Sequence, residues 1–65
     1  MTITIKEQLD CAKRELAMRE RVYPRWVSQE KMTEEKAAHE IACMKAIVAT
    51  LKPLAEQESG QMSLL

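Results

Sequence analysis

The chain has 65 residues, ten Lys and Arg against ten Asp and Glu, one Gly, one Tyr, one Trp and no Phe. That length holds one small domain at most, and the zero formal charge excludes a nucleic-acid or membrane binder driven by bulk charge. The apolar residues are chiefly Ala, Ile, Leu, Met and Val, which suit helices, while turn residues are too sparse for a sheet sandwich.

Residues Met1–Ile5 alternate polar and apolar side chains like a short strand, with Thr2, Thr4 and Lys6 on one face. A strand before two helices is the order of a ribbon-helix-helix DNA-binding dimer. Thr4 and Glu7 oppose it, because Thr-x-x-Glu is a capping box that starts a helix where the strand should continue. The same segment lacks the basic start and apolar run of a signal peptide, and no stretch approaches the roughly 20 apolar residues that cross a bilayer. The expectation is a cytoplasmic protein with Cys11 and Cys43 as reduced thiols.

From the capping box, Ile5, Leu9, Ala12 and Leu16 recur at spacings of three and four, and Tyr23 and Trp26 continue the stripe past an interruption at Arg19. Pro24 disfavours helical geometry at Tyr23 and cannot donate to the carbonyl four residues back. The first helix is therefore predicted over about 5–23, the alternative being a kink and a further turn through Val27. Ser28–Met32 is the polar connection. Thr33 is an N-cap, with Glu34 and Glu35 in the favoured first turn. Ala37, Ile41, Met44, Val48 and Leu51 form the second stripe, predicted over about 33–52 and ended or bent by Pro53. If Pro53 only bends it, Gly60 is a candidate C-terminal cap. Residues 60–65 read as a frayed tail.

Two helices of nearly equal length with a short connection predict an all-α antiparallel two-helix hairpin, one domain over 1–59. Two helices leave the outer part of each apolar stripe uncovered. Domains of this size gain only about 3–5 kcal/mol from one core and often add a second subunit. The predicted partner is therefore the chain itself, as a dimer or larger helical bundle.

Chemistry-bearing constellations are few. His39 and Cys43 are four apart on one helix, a chelating spacing, and Cys11 could approach them across the hairpin. A buried reduced Cys and a solvated His are the commoner readings, so no metal or other cofactor is expected. No nucleophile–base–orienter set and no Gly-rich phosphate loop exist, and the chain is too small to enclose a substrate pocket. It does not read as an enzyme.

Residues 13–31 carry six basic side chains against Glu15, Glu20 and Glu30. Arg14, Arg19, Arg21 and Arg25 could track phosphates with Tyr23 or Trp26 stacked on a base. The competing reading, which is preferred, is a solvated face whose Arg stems cover apolar surface. Tyr23 and Trp26 have two compatible readings as well. They cap the hairpin's open end against Met32, Ala37 or Ile41, or they join Arg19, Arg21 and Arg25 in an exposed patch of the composition enriched at interface hot spots. Arg19, Arg21, Tyr23, Arg25 and Trp26 are the candidate partner-binding residues.

At Cys11–Arg19, Val22-Tyr-Pro-Arg-Trp-Val27, Lys31-Met-Thr33 and Glu40–Leu51, the chain resembles a family of short proteins encoded by temperate phages and prophages of enteric and related bacteria. The Val-Tyr-Pro-Arg-Trp-Val block is the specific part. Some members resemble small accessory reading frames in the early region of lambda-like phages. The resemblance implies a non-enzymatic role, adjusting host physiology or the lysis–lysogeny balance by binding a host or phage protein; a small DNA- or RNA-binding regulator is the alternative. Many relatives have Gly where this chain has Glu30, so a tight left-handed turn there is not expected.

Overall fold

The computed structural model describes the backbone of residues 2–63 and the side chains of residues 2–59. It is a hairpin of two helices, α1 over Ile5–Ser28 and α2 over Glu34–Ser63. They run antiparallel: the start of α1 meets Glu58, and Arg19 meets Glu40. Among the described residues there is no strand, and Thr4 is the N-cap of α1 with a complete capping box. Residues 2–4 of the predicted ribbon are not a strand here, and Ile5 already belongs to α1.

The first turn of a helix leaves four N–H groups without intrahelical partners, and here each of the first three has one. The Glu58 carboxylate accepts from Ile5 N at 3.0 Å and Lys6 N at 3.4 Å, and Thr4 Oγ1 accepts from Glu7 N at 3.0 Å. Gln8 N then donates to the Thr4 carbonyl, opening the regular ladder. The Glu58 charge also sits at the positive end of the α1 dipole.

Both helices outrun their prolines. α1 is 24 residues long and ends at Ser28, so its predicted end near 23 is corrected. Pro24 faces solvent, while Tyr23 and Val27 on either side of it are half-buried. Continuing the helix sets Val27 beside Ala37 and Ile41 of α2, and that packing outweighs the lost bond to the Glu20 carbonyl. α2 is 30 residues long and passes Pro53, correcting the predicted end at 52. The extra turns bury Ala55 and deliver Glu58 to α1. Residues 60–63 of the predicted tail continue α2, and its last two residues lie outside the described residues.

The turn between the helices is a Schellman motif. Lys31 N donates to the Trp26 carbonyl at 2.9 Å and Glu30 N to the Val27 carbonyl at 3.0 Å. Glu30 occupies the left-handed position with φ 59°. The tight turn forms with Glu where Gly is favoured, contrary to the reading of this position from its side chain. The Cβ penalty there is about 1 kcal/mol, so Glu30→Gly is expected to raise the unfolding free energy by about that amount, read as a higher urea midpoint at unchanged slope. Thr33 caps α2 as predicted, its Oγ1 accepting from Lys36 N at 3.1 Å.

The core is Leu9, Ala12, Ala37, Met44 and Ala55. Three of these are Ala, and among the described residues no large side chain is fully buried. Close approach of small residues lets the helices touch, but it removes little apolar surface from water. No helix of the described residues is long and apolar enough to cross a membrane.

Candidate functional site

The candidate residues all lie on the last three turns of α1, and the structure divides them into two groups. Arg19 points toward α2. Its Nη1 donates to the Glu40 carbonyl at 2.9 Å, and its Nε donates to Glu15 at 3.0 Å. The Glu40 carboxylate is 3.9 Å away, and the guanidinium lies 5.8 Å from the centre of the Tyr23 ring. Tyr23 in turn stacks on Trp26, ring centroids 5.4 Å apart and planes 24° from parallel.

Arg19 therefore does not interrupt the α1 stripe; it is part of the interface, with a side chain 21% exposed. The hydrogen bond to Glu15 raises its pKa above the ordinary arginine value, and the nearby Glu carboxylates and Tyr23 act in the same direction. A base whose folded pKa is raised keeps its stabilising effect at every pH below its ordinary value, so this latch is insensitive to pH across the physiological range. Hydrogen bonds to charged groups are worth about 1.5–3 kcal/mol, and partial exposure reduces that here. Arg19→Ala is expected to lower the unfolding free energy by about 1–2 kcal/mol. Arg19→Lys should recover only part of it, because an ammonium cannot serve Glu15 and the Glu40 carbonyl with a planar fork. Urea titration of the two variants checks both statements.

Arg21 and Arg25 are exposed, one turn apart on the outer surface of α1, and neither forms an ion pair among the described residues. Trp26 is 37% exposed, and Pro24 and Val27 line a recess between the helices with Ala37 and Ile41. Tyr23 is half-buried. The five residues do not share one face. Arg19, Tyr23 and Trp26 form a continuous stack leading from the helix interface to the surface, while Arg21 and Arg25 lie on the exposed side of the same turns.

His39 and Cys43 do meet, with Cys43 Sγ and His39 Nε2 3.5 Å apart. Cys11 is elsewhere, exposed on the side of the hairpin where it lines a groove with Met44 and Ile47. Among the described residues, no three His, Cys, Asp or Glu side chains are grouped to hold a metal ion. Both cysteines are free thiols.

Two functional contacts were not read from the residues. Arg19 had a local signal, since Leu16, Arg19 and Tyr23 keep the three-and-four spacing and Glu15 lies one turn earlier. Glu58 had none, because its partners are more than 50 residues away in the chain. No known protein family, curated protein or solved structure matches the chain.

Proposed function

We propose that this chain is a non-enzymatic accessory protein of a temperate phage or prophage that acts by binding another protein and by self-associating. The contact surface is the turn end of α1: Trp26 and Arg25 at its centre, Tyr23 behind them and Arg21 at the margin. The host or phage protein it engages belongs to host physiology or to the lysis–lysogeny decision, as the resemblance of the Val22–Val27 block implies. The observation that supports the binding surface is Trp26 itself, 37% exposed yet held in one orientation by its stack on Tyr23 and, through it, on Arg19. A large ring already ordered in the free protein loses little entropy on binding, and Trp and Arg are the residues enriched at interface hot spots.

Affinity capture from infected-cell lysate, wild type beside Trp26→Ala and Arg25→Ala, tests the reading. The expected result is a protein retained by wild type and lost by both variants while their circular dichroism is unchanged. A partner retained equally by folded variants removes this surface from the binding site. A mobility shift with duplex and single-stranded nucleic acid at low and physiological salt tests the regulator alternative, because phosphate contacts make affinity fall steeply with salt. Retention of a shift at physiological salt that Arg21→Ala/Arg25→Ala abolishes would favour that alternative.

A further inference from the structure

We infer that the outer face of α1 from Arg14 to Arg25 is the docking site for an acidic helical segment of the protein that this chain binds. The inference rests on the protein-binding reading above. It names the chemistry of the partner and extends the contact back along α1 to Arg14.

The zero formal charge of the chain hides an uneven use of its charges. α1 holds six basic and four acidic side chains. The fold commits three of those acids: Glu7 to the capping box, Asp10 to Lys6 at 3.2 Å and Glu15 to Arg19 at 3.0 Å. Two α2 carboxylates turn to α1 as well, Glu40 toward Arg19 and Glu58 to the Ile5 and Lys6 amides. By contrast, Lys13, Arg14, Arg21 and Arg25 have no carboxylate partner among the described residues.

Three of these cations share one face. At about 100° per residue, Arg14, Arg21 and Arg25 fall within about 40° of one another around α1, opposite the buried Leu9 and Ala12. All three are exposed. Along the axis they stand about 10 Å and about 6 Å apart. Met18, half-buried, lies on the same face between Arg14 and Arg21. Lys13 instead borders a seam between the helices with Lys52.

Charge complementarity selects the occupant. Guanidinium groups at helical spacing are matched by carboxylates at the same spacing on another helix, and each Arg can take a carboxylate through two parallel N–H···O bonds. Met18 adds an apolar contact between them, which suits a protein side chain and not a phosphate chain. The face is also too short for a long polyanion. Glu7 and Asp10 border Arg14, and Glu20 is exposed next to Arg21 in the chain. A chain of zero formal charge gives nucleic acid no long-range attraction either.

The probes are a synthetic helical peptide with Glu at the matching spacing and Leu between, and its Gln counterpart. Titration calorimetry at physiological salt measures their binding. Wild type is expected to bind the Glu peptide and not the Gln peptide. Arg14→Gln/Arg21→Gln/Arg25→Gln should raise the dissociation constant about tenfold or more, and Arg14→Gln alone should supply part of that rise. Lys13→Gln/Lys45→Gln/Lys52→Gln, which removes the same charge elsewhere, should leave it unchanged. Gln is close to Arg and Lys in helix propensity and every substituted position is exposed, so circular dichroism should not change. No binding of the Glu peptide, or equal weakening by the two triple variants, overturns the inference. A DNA duplex that wild type binds more tightly than the Glu peptide at the same salt overturns it too. Unaltered affinity in Arg14→Gln overturns the extension to that residue. The protein-binding reading fails separately: a partner lost by Trp26→Ala while the Glu peptide does not bind leaves that reading standing and removes the acidic partner.

Discussion

Leu9→Ala is expected to leave most of the protein unfolded at room temperature. Leu9 is 6% exposed and is the largest aliphatic side chain buried on α1. It lines the seam between the helices together with Ala55. Leu-to-Ala changes in cores cost about 2–5 kcal/mol, and domains of this size hold only about 3–5 kcal/mol in total. Thus a single truncation removes most of the stability. Far-UV circular dichroism and urea unfolding at fixed protein concentration measure it. Leu9→Met, which keeps the volume, should cost less than about 1.5 kcal/mol. An Ala variant as stable as wild type would mean that the Leu9–Ala55 seam does not hold the helices together.

The largest change in the other direction is expected from Pro24→Ala. Pro24 lies inside α1 and faces solvent. Its ring removes one ladder hydrogen bond and crowds the Glu20 carbonyl, and Pro is about 3 kcal/mol less favourable than Ala in a helix interior. The substitution should raise the unfolding free energy by about 2–3 kcal/mol and the melting temperature by on the order of 10 °C or more. A lower melting temperature would show that the ring itself packs in a way the exposed position of Pro24 does not suggest.

The sequence carried the fold class clearly, since three-and-four spacing, two Thr N-caps and a polar connection are local signals. It carried the stripe of α2 equally well: Ala37 and Met44 are buried, and Ile41, Val48 and Leu51 are half-buried. The helix ends were misread for one physical reason. Pro24 and Pro53 signal termination locally, but tertiary contacts beyond each of them, Val27 on Ala37 and Ile41 and then Ala55 and Glu58 on α1, decide otherwise. A long-range contact has no local signature. Glu30 was misread in the same way, because the Schellman bonds at Trp26 and Val27 fix a left-handed residue whatever its side chain. At the candidate site the Tyr–Trp cluster and its arginines were legible. The inward commitment of Arg19 was not, because a charged residue in an apolar stripe reads as a break unless its carbonyl partner on the other helix is known.

The account depends on α2 running past Pro53, since that extension supplies the Glu58 cap and buries Ala55. Amide hydrogen exchange at Ile5 and Lys6 measures it directly, wild type beside Glu58→Ala. In wild type both amides should be protected, unusual for the first turn of a helix, and in Glu58→Ala that protection should be lost while the middle of α1 keeps its own. Fast exchange at Ile5 and Lys6 in the wild-type protein, or protection unchanged by Glu58→Ala, would contradict the account.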